Sequence, residues 1–408
     1  MPYKLNRRQG VRKSKLGLWG LLVVAIIVVA GAGVGFYLLK RPAHVATAPV
    51  TKKVKAAVVA TPPSEGLTSH IQFVGDVMWG RSVQTAAEKS GQGYSYITSG
   101  LSAQDRAQYD AWIANFECPI TTKDVPYELQ VDILKFNCRP EYLPNLAKWF
   151  TAASQANNHT DNNGGAWGLD QTRANLQAAG IQNFGTYDMN QTNDLCEVIT
   201  MPATTAQIHK RVSIPVALCG YMYVVDVTPT DAQLAVMQQY AKVMPVIAMP
   251  HMGVEYRTTA EPAKVSAYHR MIDNGADMVV GAHPHVIQNS EVYKGRLIAY
   301  SVGNFLFDQQ SLGRDETLGL GVGVRLTIND PAAAKIYESV APSCSVYKDN
   351  CLATLTAKLK SRPKIGVTYN FSCYDEADKL PKLGSAAACA EAEKSATVDQ
   401  LSGLATSW

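Results

Sequence analysis

Six short polar clusters in the 408-residue chain hold residue types that do acid–base or metal chemistry. They are Asp76 and Arg81 in GDVMWGR, Asn115 and Glu117 in NFECP, Asn157-Asn158-His159, His251 and Glu255 in HMGVEY, His283-Pro284-His285, and Asn304 with Asp308 in SVGNFLFD. Each ends or follows an apolar, strand-like run, and in open α/β folds functional groups gather at the carboxyl ends of strands. Carboxylate, amide and imidazole donors make a mixed oxygen–nitrogen set suited to Mn, Fe or Zn, whereas a thiolate site would need cysteines in these places. Taken singly, an Asp after a strand is more often a turn or a helix cap, and a lone His a satisfied core residue. His283-Pro284-His285 is more specific, because alternate positions of an extended segment project the same way and the proline stiffens it.

The elements that must position these clusters follow from periodicity. Short apolar runs alternate with amphipathic stretches: Ile71 to Val74 then Ser82 to Lys89, Phe150 to Ser154 then Ala166 to Ala179, Val243 to Met249 then Glu261 to Asn274, and Met278 to Gly281. That order predicts an α/β domain with its sheet inside and helices outside. Leu318 to Ile328 alternates at period two and reads as an edge hairpin or a second sheet. The last twenty residues read as loosely ordered.

Ahead of this domain, Leu16 to Leu39 is 24 residues without a charge, long enough as a helix for a bilayer core of about 30 Å. A cleaved signal peptide is the alternative, but its apolar core usually runs only about 7–15 residues. Residues 1–55 carry eleven Lys/Arg and no acid, which leaves the remainder at net −7. Basic residues confined to the flanks of an apolar segment, ahead of an acidic domain, argue against a nucleic-acid binder. The chain therefore divides into a basic cytoplasmic tail (1–15), a single membrane-spanning helix (16–39), a Pro/Ala/Lys linker (40–68), a domain (69–330) outside the cytoplasm and a cysteine-containing extension (331–408). All eight cysteines lie after the apolar segment and none forms a CxxC pair. Disulfides fit this, with near neighbours such as Cys344 and Cys351 as plausible partners, although 105 pairings are open.

The motifs GDVMWGR, NFECPIT, ANNHTDNNGGAWGLDQT, HMGVEYRTTAEP and NGADMVVGAHPHVIQNSEVYKGRLIAYSVGNFLFDQ together resemble the bacterial capsule-synthesis CapA family, the poly-γ-glutamate synthesis proteins, from about Ile71 to Thr327. The resemblance implies a calcineurin-like metallophosphatase sandwich, two β-sheets flanked by helices, held at the cell membrane. It implies a part in the synthesis of capsule or another envelope polymer, for which the oxygen–nitrogen donor set suggests metal-dependent hydrolysis. Its partners would be an anionic cell-envelope polymer or its precursor, the membrane, and other capsule-synthesis membrane proteins.

Carried over residue by residue, the resemblance makes Asp76, Glu117, Asn158, His251, His283 and His285 ligands of one or two divalent ions. His159 would assist the leaving group, Arg81 hold an anionic oxygen, and Glu255 orient a histidine or act as a base. Asn115, Asn304 and Asp308 would lie beside the substrate. Two departures stand out: the first motif reads Asp76-Val77-Met78 where the pattern has Asp-x-His, and Glu117 replaces a bridging aspartate. A thioether is a poor ligand for such ions, so one metal position has lost a donor. Without a metal the same groups would serve as a paired acid and base, for isomerisation or amide cleavage on a peptide or polyglutamate. A third reading is a non-catalytic protein that binds or exports an anionic polymer, and the acidic domain speaks mildly against it.

Overall fold

The computed structural model describes residues 66–206, 209–224, 227–344 and 348–408. The apolar segment 16–39 and nearly all of the linker lie outside them; among the described residues no helix is long and apolar enough to cross a membrane.

The strands form one hydrogen-bonded network with two arms that meet at β1 (Leu67–Val77). On one side β1 pairs in parallel with β2 (Ala111–Phe116), which continues through β3 (Ala152–Ser154) to β4 (Gln182–Phe184). The first two residues of β1 also pair with the end of β5 (Cys196–Thr205), opening the second arm: β6 (Arg211–Val224), β7 (Val246–Gly253), β8 (Met278–Val280), then β10 (Arg296–Ala299) with β9 (Ser290–Tyr293) outermost. β11 (Asn304–Leu306) runs parallel to the end of β1. β12 (Leu318–Ile328), β13 (Ile365–Asp375) and β14 (Lys382–Leu383) extend its other edge. β1 alternates in burial at its start and is wholly buried from Ile71 onward, as a strand covered on both faces must be.

The longer helices are α1 (Arg81–Ser90), α2 (Ala166–Ala178), α3 (Asp231–Ala241), α4 (Pro262–Asp273), α5 (Pro331–Cys344), α6 (Lys348–Lys358) and α7 (Ala386–Ser395). α3 and α4 pack on β7, and α5 packs on β5, β6 and β12. The fold is thus mixed α/β, as the alternation predicts.

Two sequence expectations are corrected. β12 is an interior strand, paired with β1 on one side and with the full length of β13 on the other. Its period-two signal comes from glycines that serve as slots: a Cβ on Gly321 would meet Gln72 Nε2 at 1.9 Å and Ser372 Oγ at 2.3 Å, and one on Gly323 would meet Asn370 Oδ1 at 2.2 Å. The chain end is also ordered, with Trp408 8% exposed and its backbone N–H donating to Ile365 O at 2.8 Å. Residues 331–408 pack within the same unit as the rest of the domain.

All eight cysteines are bridged, each to its neighbour in sequence: Cys118–Cys138, Cys196–Cys219, Cys344–Cys351 and Cys373–Cys389.

Candidate metal centre

Register places the first donors. Asp76, at the end of β1, lies opposite Asn115 on β2 and Asn304 on β11, so three polar side chains stand on adjacent strands at one level. The approach requires Gly75: a Cβ there would sit 1.8 Å from Gly303 O. Glu117 is the first residue past β2, and Asn158 and His159 follow β3. The second arm supplies His251 near the end of β7, and His283 and His285 just past β8. The six clusters, scattered over more than 230 residues of sequence, thus meet where the arms converge.

The donor atoms face one another closely. His251 Nε2 is 2.7 Å from Asn158 Oδ1, 3.1 Å from His283 Nδ1 and 3.5 Å from Glu117 Oε1. Ligand atoms held about 2.0–2.2 Å from one divalent ion stand roughly 3–3.5 Å apart, so these atoms have the spacing of a shared coordination shell. His285 Nδ1 is 3.5 Å from Asp76 Oδ2, and its Nε2 is 3.7 Å from Glu117 Oε1. Two donor groups result, Glu117 with His251 and His283, and Glu117 with Asp76 and His285. Glu117 belongs to both.

Amides orient these ligands. Asn115 Nδ2 donates to Asp76 Oδ1 at 2.7 Å, and His283 N–H donates to Asp76 Oδ2 at 3.1 Å. Asn157 Nδ2 donates in turn to Asn115 Oδ1 at 3.1 Å. His285 Nδ1 lies 2.9 Å from Asn304 Oδ1, and His159 Nδ1 lies 2.8 Å from Asn162 Oδ1. An amide oxygen can only accept, so each Nδ1 carries the hydrogen and each Nε2 keeps its lone pair toward Glu117. The backbone is forced here as well: Arg81, Tyr256, His283 and His285 have φ of 45°, 62°, 93° and 59°. Non-glycine residues in this region cost about 1–3 kcal/mol each and persist where surrounding structure holds them.

Electrostatically the cluster is incomplete by itself. Glu117 is fully buried and neither carboxylate oxygen has a hydrogen-bond donor among the described residues. Burial raises its pKa well above the usual range, and the nearby Asp76 and Glu255 charges add to this. Burial likewise lifts Asp76 to about 7, against the lowering effect of Asn115. It pushes His285 down to about 3 and His159 to about 4, and holds His251 and His283 well below the ordinary imidazole value. The imidazoles are therefore neutral at neutral pH and cannot offset the carboxylates. Buried carboxylates facing neutral imidazole lone pairs are the donor chemistry that a divalent cation satisfies.

The remaining expected residues sit around this core. Arg81 forms a nearly buried ion pair with Asp308, which also accepts from Ser82 Oγ at 2.8 Å. The guanidinium lies 4.5 Å from the Phe136 ring centroid and 5.5 Å from that of Phe307. Asn115 and Asn304 are spent on orienting Asp76 and His285. Glu255 is exposed. Met78 is buried, and its sulfur accepts from Gly80 N–H at 3.0 Å.

Three residues emerge only in three dimensions. Phe136 stacks on His159 with ring centroids 4.0 Å apart. Lys264 on α4 is buried, donates to Gln288 Oε1 at 2.8 Å, and is lowered to about 7 by burial against the opposing charges of Glu261 and Asp76. Glu376, just past β13, is buried and accepts from Phe307 N–H at 2.5 Å, bracing the loop that carries Asp308. Helical spacing on Glu261 to Asn274 marks Lys264 as inward-facing, but the other two carried no local signal.

Residues 70–309, well over half of the chain, match the sequence profile of the bacterial capsule synthesis protein PGA_cap. The chain belongs to this family. It is 28% identical over 249 residues to the capsule biosynthesis protein CapA of Bacillus anthracis, covering 58% of this chain and 59% of that one. It is also 28% identical over 265 residues to the PGA biosynthesis protein CapA of Bacillus subtilis (strain 168), covering 58% of this chain and 63% of that one. The matched region thus spans about three-fifths of the length of these relatives. Among solved structures, a putative 5'-nucleotidase from Staphylococcus aureus in complex with alpha-ketoglutarate aligns with a TM-score of 0.34 and 14% identity, over 63% of this chain and 51% of that one. A likeness that weak says nothing about chemistry. All the donors named above fall inside the segment shared with the PGA_cap family.

Proposed function

We propose that this PGA_cap family member is a divalent-metal-dependent hydrolase acting on an anionic cell-envelope polymer or its precursor during capsule or poly-γ-glutamate synthesis. In this reading it is anchored in the cell membrane through residues 16–39, with the domain outside the cytoplasm and other capsule-synthesis membrane proteins as neighbours. The names of the Bacillus relatives support the process, and the composition of the N-terminal segment supports the anchor. Two strand arms with donors at their carboxyl ends support a metallophosphatase-type sandwich.

The observation that carries the reading is Glu117, a sealed carboxylate with no hydrogen-bond donor among the described residues, shared between two groups of ligands. Asp76, Glu117, Asn158, His251, His283 and His285 would hold one or two ions of Mn, Fe or Zn. Such an ion supplies polarisation of a phosphoryl or acyl oxygen and a more acidic water. The chain's own residues do the rest. Asn115 and Asn304 fix Asp76 and His285 in their ligating orientations. His159, neutral and presenting Nε2, takes up the proton released by the attacking water and passes it to the leaving group. Arg81, braced by Asp308, Phe136 and Phe307, meets substrate charge at the edge of the cluster.

Elemental analysis of the purified full chain tests this. Near-stoichiometric Mn, Fe or Zn is expected in the wild type and its loss in the His283→Ala, His285→Ala double variant, with phosphoester and amide substrates screened next. Absence of metal from the wild type after supplementation would overturn the reading in favour of acid–base chemistry or polymer binding.

A further inference from the structure

The segment 123–136 beside the metal centre is built inside out. In its short helix, Tyr127–Asp132, the buried side chain is Gln130, while Tyr127, Leu129 and Val131 are 47%, 42% and 41% exposed. Ile133 and Leu134 follow at 63% and 49%. Scattered exposed apolar residues are ordinary, but five within eight positions, interspersed with exposed Glu128 and Asp132, concentrate apolar surface on one short segment, as contact sites do. The polar side chain inside has a purpose: Gln130 Oε1 accepts from Asn137 N–H at 3.3 Å and Arg81 N–H at 3.4 Å, and its Nε2 donates to Val125 O at 2.9 Å. The surface is thereby fixed to the backbone of Arg81.

We infer that this apolar surface inserts into the outer interface of the lipid bilayer, which lays the metal centre against the membrane. The inference rests on the proposed anchoring through residues 16–39. The tether has the necessary length. Residues 40–65 are 26 residues and reach at most about 90 Å, more than twice the roughly 35 Å of β1 between Gly66 and the end where Asp76 lies. Tethering also keeps the bilayer at high effective concentration, so a surface of a few side chains suffices. An aromatic among aliphatics, flanked by Lys123 and Lys135, has the composition of an interfacial segment. Asp124, Glu128 and Asp132 outnumber those lysines, so the contact is driven by apolar burial and needs no anionic lipid.

The test uses the full chain in phosphatidylcholine vesicles that contain a phosphatidylcholine with a photoactivatable diazirine on its acyl chain, with labelled peptides mapped by mass spectrometry. Labelling is expected in 16–39 and in 127–135, the latter at least tenfold above the peptide carrying exposed Ser339. The Ile133→Ser, Leu134→Ser variant should lose at least fivefold at 127–135 with 16–39 unchanged. Label confined to 16–39 would overturn the contact and leave the anchor standing; label in neither would overturn both. Crosslinking of 127–135 to another protein copy in place of lipid would assign the surface to protein association and overturn the inference.

Discussion

Asp277 and Glu117 are both sealed carboxylates, 2% and 0% exposed, yet the molecule treats them in opposite ways. Asp277 Oδ2 accepts from Val246 N–H at 2.9 Å and pairs with Arg362 at 2.7 Å, while Oδ1 faces Arg296 at 3.4 Å. It joins β7 and β10 to the chain beyond α6 and is complete as folded. Glu117 has four imidazoles in its vicinity and, among the described residues, no hydrogen-bond donor. A buried charge that serves the scaffold comes with its partners, whereas one that serves a ligand is left unpaired.

The widest separation between these two carboxylates should come from removing each. Asp277→Ala leaves the partly buried Arg296 and Arg362 without their shared carboxylate and is expected to cost about 3–5 kcal/mol in urea unfolding of the disulfide-intact, metal-free protein, with divalent-ion affinity unchanged within twofold. Glu117→Gln should leave that unfolding free energy within about 1 kcal/mol of wild type, or above it, and abolish ion binding. Equal destabilisation by the two changes would collapse the distinction. A smaller effect is expected at the orienting shell: Asn304→Ala strips the partner from His285 Nδ1 and should weaken ion affinity about 10–100-fold, read by metal titration, without removing a ligand.

The gentlest handle is pH. Burial holds the metal-free Asp76 carboxyl at about 7 and Glu117 well above the ordinary carboxylate range, so an incoming ion displaces a proton from Glu117 and, below about 7, a second from Asp76. Apparent affinity should therefore fall more steeply below about 7 than above it, by about a further tenfold for each pH unit. The depressed His159 and His285 add no competition above about 4. A profile no steeper below pH 7 than above it, measured by calorimetry in buffers of different ionisation heat, would show that Asp76 binds no proton there.

Much of this centre was legible because parallel strands deliver their carboxyl ends to one edge, so polar residues after apolar runs could be gathered before any register was known. The register itself was not legible: nothing local says that Asp76 pairs with Asn304, 228 positions later. Asn115 and Asn304 were found as polar residues at the right strand ends, but their hydrogen bonds to Asp76 and His285 depend on that long-range pairing. Phe136 and Glu376 escaped because a stacking ring and a buried brace have no motif of their own. The β5–β6 hairpin was also hidden, since Pro202 and Pro215 interrupt its alternation. β12 misled because its glycines mimic the two-residue period of an edge strand while making room for side chains of β1 and β13.

The bridge between Cys118 and Cys138 has a temporal meaning. Cys118 directly follows Glu117, and Cys138 lies two residues past Phe136, the ring that covers His159. One covalent link thus clasps the shared ligand to the wall of its own chamber, and closing a loop of this size is worth about 3 kcal/mol of restraint on the unfolded chain. A nascent polypeptide with its thiols still reduced holds that corner by packing alone. Oxidation of this pair therefore adds a covalent restraint to a corner of the centre that packing alone holds beforehand.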